Sequence, residues 1–178
     1  MVAPSSPLSF GTGRRIVVMG VAGCGKSEVG ARLAQALGVP LVEGDRFHPA
    51  ANIAKMRAGQ PLDDSDRAGW LDVLAVQLAQ HPAGAVLACS ALKRSYRDVL
   101  RAAAPGLVFV HLALTREQAQ QRVASRGGHF YPPSLVDSQF EALEDPSQED
   151  GVVTVGAADA LDDVVAQAVQ GLRQLGRG

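Results

Sequence analysis

A glycine-rich segment near the N-terminus constrains this chain more than any other feature. Residues 20–27 read Gly-Val-Ala-Gly-Cys-Gly-Lys-Ser, which is a complete G-x-x-x-x-G-K-[ST] pattern. An apolar run at 16–19 precedes it, and a helical pattern follows at 27–37. Glycines let backbone N–H groups surround a phosphate, and the following helix adds the positive end of its dipole. The segment therefore predicts a strand, a phosphate-binding loop (P-loop) and a helix, in that order.

The same pattern predicts which loop residues contact a bound nucleotide. Lys26 is expected to reach the β- and γ-phosphates of ATP and to act in catalysis, and the Ser27 hydroxyl is expected to ligate Mg²⁺. The predicted nucleotide contacts are Gly20, Gly23, Cys24, Gly25, Lys26 and Ser27.

The two cysteines give contrasting expectations. Cys24 lies beside Lys26 and just before a helix, where positive charge favours a thiolate. One hypothesis makes Cys24 the more reactive thiol, protected by bound ATP; the alternative is that its side chain points away from the loop and packs. Cys89 falls on a strand expected to be buried, so it should react slowly.

The amino-acid composition limits the classes of protein to which this chain can belong. The chain has 178 residues, of which 47% are hydrophobic and 20% charged, which is typical of one globular domain. A net charge of −1 gives no strongly basic surface, so neither nucleic acid nor a membrane is an expected partner. Residues 1–13 lack the pattern of a signal peptide and are expected to form a flexible tail. With only two cysteines, these features indicate a cytoplasmic protein.

Strand and helix patterns alternate through the rest of the chain, which predicts one domain over 14–178. Strands are predicted at 16–19, 41–43, 86–89, 108–112 and 152–155. Helices are predicted at 27–37, 51–57, 64–80, 96–103, 116–125, 134–143 and 161–175. The apolar strands show little alternation, which favours an α/β fold with five parallel strands between helices. Ligands of such sheets gather at the carboxyl ends of the strands. Residues 44–66 are expected to hold the substrate, and residues 125–133 are expected to form a lid.

Polar residues follow the second predicted strand. Glu43 and Asp45 are two residues apart, so on a strand both carboxylates would share one face. Asp45 is the candidate for orienting or deprotonating a substrate hydroxyl, and Glu43 for the outer shell of Mg²⁺. The third strand ends without an aspartate, so the metal would depend on Ser27, Glu43, phosphates and water. His48 follows at a predicted helix start and is a candidate substrate contact.

Cationic residues follow later elements. Arg67, Lys93 and Arg97 are candidates for binding an anionic substrate; Lys93 and Arg97 are four residues apart and could share a helix face. Arg122 and Arg126 share the same spacing before the predicted lid. They are candidates for neutralising charge on a transferred phosphoryl group, a role with large effects on rate.

Seven segments together resemble the small bacterial and eukaryotic gluconokinases. They read M-G-V-A-G-C-G-K-S at 19–27, E-G-D-R-F-H-P at 43–49, N-I-A-K-M at 52–56, P-L-D-D-S-D-R at 61–67 followed by Trp70, C-S-A-L-K-R-S-Y-R at 89–97, R-G-G-H-F at 126–130 and Q-F-E-A-L-E at 139–144. The resemblance covers residues 15–172. Glu43 stands where the family often has aspartate, and Cys24 where it usually has serine.

The resemblance implies the strand order 2-3-1-4-5, a mobile lid and, in many members, a homodimer. It also implies transfer of the ATP γ-phosphate to the 6-hydroxyl of D-gluconate. A shikimate kinase is the nearest alternative, but the Gly-Gly-Gly turn expected after its third strand is missing. A nucleoside monophosphate kinase would need a second base pocket. A nucleotide-binding module without chemistry is disfavoured by the intact Lys26, Ser27 and Asp45.

Overall fold

A computed structural model describes residues 13–125 and 132–176 of the chain. The strands are β1 (Arg15–Met19), β2 (Leu41–Glu43), β3 (Ala85–Ala88), β4 (Val108–Ala113) and β5 (Val152–Gly156). The α-helices are α1 (Lys26–Leu37), α2 (Ala50–Arg57), α3 (Asp64–Ala79), α4 (Arg94–Ala103), α5 (Arg116–Ser125), α6 (Pro133–Ala142) and α7 (Leu161–Leu175). A 3₁₀ helix, Gly44–Phe47, follows β2 directly.

The strands form one parallel sheet in the order β2-β3-β1-β4-β5. Strand β1 lies at the centre, where Val17 pairs with Leu87 of β3 on one side and with Phe109 of β4 on the other. The expected fold class and strand order are therefore confirmed. Because all strands run the same way, the P-loop after β1 and the segment after β2 meet at one edge of the sheet.

Helices cover both faces of the sheet, which explains why the strands read as continuous apolar runs. Alternate residues of β1 enter opposite cores: Ile16 and Val18 pack with helices α1 and α7, while Val17 and Met19 pack with α3 and α4. A smaller apolar cluster joins the P-loop to α5 and α6. Its buried members are Val21, Leu92, Ala119, Val123 and Val136.

Local signals explain where two of the helices begin or end. Helix α1 ends at Leu37 and is capped by Gly38, whose φ of 68° is a left-handed conformation that glycine adopts without strain. Helix α3 begins with a capping box in which Asp63 accepts the N–H of Asp66, and Asp66 accepts the N–H of Asp63. None of the helices in the described ranges is long and apolar enough to cross a membrane.

Candidate active site

The P-loop forms the floor of the candidate site. Gly25 caps α1 with a φ of 91°, and Gly20 lies so close to β4 that an added Cβ would be 2.8 Å from the carbonyl oxygen of Leu112. The ammonium of Lys26 donates hydrogen bonds of 3.0 Å to the carbonyl oxygens of Gly20 and Val21. The loop thus holds its lysine at the start of helix α1.

The Cys24 side chain packs in the core, although its Sγ still lies 3.9 Å from the ammonium of Lys26. Its side chain is buried, with 2% exposure, in the core formed by β1, α1 and α7. The structure therefore favours the alternative in which this side chain packs. Cys89 is buried as expected, and burial raises the pKa of its thiol to about 12.

The Ser27 hydroxyl donates a 2.9 Å hydrogen bond to a carboxylate oxygen of Glu43. This contact brings together the two residues predicted to serve a metal ion, from α1 and from the end of β2. Among the described residues, no group of three His, Cys, Asp or Glu side chains could hold a metal.

A cavity of about 700 Å³ opens above the P-loop. Lys26 and Ser27 of the P-loop line it together with Asp45, His48 and Arg67. With Gly23 and Gly25, which also line it, seven of the site residues predicted from the sequence share this cavity. The cavity joins the segment after β2 to the start of α3, which is the region expected to hold the substrate.

Asp45 lines this cavity, but it does not lie on a strand as the sequence analysis predicted. Strand β2 ends at Glu43, and Asp45 lies in the 3₁₀ helix, so the argument that both carboxylates share a strand face is wrong. Trp70 fixes the turn by donating a 2.8 Å hydrogen bond from Nε1 to the carbonyl oxygen of Gly44. The Asp45 carboxylate makes no hydrogen bond or ion pair within the described part of the chain and stays exposed.

His48 is held between two helices. Its ring stacks on Trp70 of α3 with centroids 4.2 Å apart, and its Nδ1 lies 3.2 Å from the amide nitrogen of Asn52. That amide also donates to the carbonyl oxygen of Asp66, so it presents N–H to Nδ1, and the proton of a neutral ring lies on Nε2. Burial lowers the pKa of His48, Arg67 lowers it further, and Asp45 opposes both.

The lowered pKa of His48 predicts a pH dependence of stability. The unfolded state takes up a proton near pH 6.5 and the folded state only at lower pH, so the stabilisation by neutral His48 is complete above 6.5 and lost below it. His48→Phe keeps a ring against Trp70 but cannot titrate. We expect its free energy of unfolding, measured in urea, to fall less than that of wild type between pH 8 and pH 5. Equal losses in the two proteins would contradict the assignment.

Two of the predicted substrate cations have internal partners at the edge of this region. Arg67 donates to the carbonyl oxygen of Leu62 at 2.7 Å and to the Tyr96 hydroxyl at 3.3 Å, and it still lines the cavity. Lys93 instead forms a 2.8 Å ion pair with Asp64, whose carboxylate also accepts the Tyr96 hydroxyl. Lys93 is not among the residues that line the cavity.

Arg97 is not a substrate contact, and this prediction is wrong. Its side chain is fully buried, and its guanidinium binds Glu149 through Nε at 3.1 Å and through Nη2 at 2.5 Å. Its other hydrogen bonds go to three backbone carbonyl oxygens, those of Ala91, Leu92 and Glu144. Arg97 therefore joins the start of α4 to the segment between α6 and β5.

Arg122 contacts the P-loop from helix α5. It donates to the carbonyl oxygens of Gly23, at 3.3 Å, and Ala157, and it lines a second cavity of about 250 Å³ with Asp159. The structure does not bring it to the larger cavity. Arg126 and most of the predicted lid lie outside the described residues.

Three polar or aromatic side chains are notable among the cavity-lining residues that had no predicted role. Trp70 supports Gly44 and His48, Arg57 adds a cation at the end of α2, and Gln139 contacts the P-loop from α6. Trp70 and Gln139 belong to the segments that carry the family resemblance, which was the available signal for them.

Comparisons with known proteins bear on this arrangement. A family model described as an AAA domain matches residues 16–146. The structure of a shikimate kinase from Bacteroides thetaiotaomicron shares the fold, with a TM-score of 0.62 at 17% identity over 91% of this chain and 97% of that one. The family match, the sheet order and the P-loop make this chain a P-loop protein, and its fold is that of a small-molecule kinase.

Two relatives with higher sequence identity show which family within this class the chain belongs to. A gluconokinase from Gluconobacter oxydans (strain 621H) is 45% identical over 88% of this chain and 90% of that protein. The crystal structure of a gluconokinase from Sinorhizobium meliloti 1021 superposes with a TM-score of 0.87 at 47% identity, over 93% of this chain and 95% of that one. The chain belongs to the gluconokinase family, as the resemblance predicts.

Proposed function

We propose that this protein is a gluconokinase that transfers the γ-phosphate of ATP to the 6-hydroxyl of D-gluconate, giving 6-phospho-D-gluconate and ADP. One observation carries the proposal: the P-loop residues Lys26 and Ser27 line the same cavity as Asp45, His48 and Arg67. A phosphoryl donor bound to the loop and a hydroxyl held by Asp45 would meet in that space.

The nucleotide is proposed to lie across the P-loop, with its base in the smaller cavity. That cavity is lined by Gly23 and Gly25 of the loop and by Arg122 and Asp159 beyond it. Because Arg122 binds the carbonyl oxygens of Gly23 and Ala157, its role is proposed to be positioning the nucleotide. Lys26 would exchange its contacts with loop carbonyls for the β- and γ-phosphates.

Mg²⁺ is proposed to lie beside Ser27 and Glu43, whose side-chain oxygens are 2.9 Å apart. A hydroxyl and a carboxylate are oxygen ligands of the kind this ion prefers, and the small number of protein ligands suits an ion that keeps several waters. When bound, the ion would neutralise charge on the phosphates.

Each substrate-facing residue is assigned one task. Asp45 accepts a hydrogen bond from the attacking hydroxyl and takes its proton as the bond to phosphorus forms. His48, with its proton on Nε2, donates to a sugar hydroxyl, and Arg67 binds the carboxylate of the substrate. Binding of a carboxylate by Arg67 would distinguish an acid sugar from its neutral parent.

The test is ADP release measured with D-gluconate, D-glucose and shikimate as acceptors. We expect turnover with gluconate, with kcat/KM for glucose lower by about 10²-fold, because glucose lacks the carboxylate that Arg67 would bind and so loses a charge-assisted contact of about 3 kcal/mol. Equal rates with gluconate and glucose would overturn the proposed substrate. Turnover only with shikimate would favour the nearest alternative, and ATP binding without turnover of any acceptor would favour a non-catalytic module.

A cytoplasmic location and a homodimer stay predictions, the first from composition and the second from the resemblance. Sedimentation of the purified protein would test the second.

A further inference from the structure

One residue of the segment at 139–144 reaches the P-loop. The backbone N–H of Ala22 donates to the side-chain Oε1 of Gln139 at 2.6 Å, a contact between residues 117 positions apart. Ala22 is the third residue of the loop, and both residues line the larger cavity together with Lys26 and Asp45. None of the roles assigned so far uses Gln139.

Helix α6 holds this side chain in place from both ends. Val136, one turn before Gln139, is fully buried against Val21 and Val123. After the helix, Glu144 donates its N–H to the carbonyl oxygen of Leu92 at 2.8 Å and accepts the N–H of Arg94 at 3.0 Å. Gln139 is therefore fixed between the P-loop and the loop that follows β3.

A neutral amide suits this place for a physical reason. Its oxygen satisfies a loop N–H, while its nitrogen carries only donors, so the group adds no negative charge beside a bound γ-phosphate. A glutamate would accept the same N–H, and more strongly, but its charge would repel the phosphoryl group. Both side chains could accept the Ala22 N–H, so the contact with the loop does not require an amide. The amide matters because it is uncharged beside a bound γ-phosphate.

We propose that Gln139 is a positioning residue for phosphoryl transfer, which fixes the Ala22 side of the P-loop beside the γ-phosphate and must be uncharged to do so. This inference rests on the proposed kinase activity. It extends that activity because it assigns a residue outside the P-loop and outside the substrate-holding segment to the transferred phosphoryl group.

The test compares Gln139→Glu with wild type. We expect Gln139→Glu to stay folded with a single cooperative thermal transition, to bind ADP within about threefold of wild type, to bind a non-hydrolysable ATP analogue about tenfold or more weakly, and to lose about 10²-fold in kcat with gluconate. The contrast between ADP and the ATP analogue localises the effect to the γ-phosphate, which a purely structural role would not do.

Gln118→Glu is the matched control. Gln118 also accepts a backbone N–H through Oε1, that of Thr115 at 2.9 Å, but it lies at the start of α5 and does not line the cavity. It should change neither binding nor turnover. If Gln139→Glu keeps wild-type kcat, or weakens ADP as much as the ATP analogue, the inference is wrong. If wild type itself fails to phosphorylate gluconate, the proposed function fails, and the two binding measurements still decide the role of Gln139.

Discussion

Replacing Asp45 by asparagine is expected to lower kcat by about 10²–10⁴-fold, the usual contribution of a general base. Asparagine has the same shape but cannot accept a proton, and the Asp45 carboxylate makes no hydrogen bond or ion pair within the described residues. ATP affinity and melting temperature should therefore stay close to wild type. Steady-state kinetics with gluconate, ATP titration and thermal unfolding measure the three quantities.

Asp72→Asn provides the control for this experiment, since Asp72 is an exposed carboxylate on α3 that does not line the cavity. It should keep wild-type kcat. An Asp45→Asn enzyme within a few-fold of wild-type kcat would remove Asp45 from the chemistry and leave it as a turn residue after Gly44.

Arg97→Met is expected to destabilise the protein by about 3–5 kcal/mol, because it leaves the buried Glu149 without its main partner. Glu149 is almost fully buried and keeps only Arg101, at 2.8 Å, when Arg97 is removed. Burial alone would raise the pKa of Glu149, but hydrogen bonds from the two arginines lower it overall. The loss of Arg97 should therefore appear in urea unfolding, and KM for gluconate should be unchanged in whatever fraction folds.

Arg94→Met, on the exposed face of the same helix, should cost less than about 1 kcal/mol, as surface ion pairs generally do. Should Arg97→Met be as stable as this control and show a raised KM, the substrate-binding prediction from the sequence would be restored and the structural role rejected.

Short-range patterns were enough to predict the elements of the fold. Strand β2 and helices α5 and α7 have the predicted bounds, and the other predicted strands and helices differ by at most two residues at either end. Apolar runs between polar turns determine such elements locally, and parallel pairing follows from their alternation. The 3₁₀ helix at Gly44–Phe47 was missed because four residues carry no periodic signal, and a contact from Trp70 fixes that turn.

Short-range patterns predicted which residues between 45 and 67 line the cavity, and they failed where the partner of a side chain lies far away in the chain. Asp45, His48 and Arg67 were brought to the cavity as expected. Arg97 has the same local surroundings as a substrate cation, and only Glu149, 52 residues further on, shows that it is buried. Lys93 likewise meets Asp64 from an earlier helix, a pairing that spacing along one helix cannot reveal.

The contact of Trp70 with Gly44 has a consequence for how this protein can change over evolutionary time. An added Cβ on Gly44 would lie 2.6 Å from the carbonyl oxygen of Ala88, so no larger residue fits there without moving the sheet. The next residue in the chain is Asp45, and the indole that fixes this turn is itself a core side chain with 2% exposure. A substitution at Gly44 or Trp70 would therefore alter packing and the proposed proton acceptor together. Substitutions of cavity residues such as Arg57 would change the substrate contacts without disturbing either the core or Asp45. We therefore expect new substrate preferences to arise more readily at such positions.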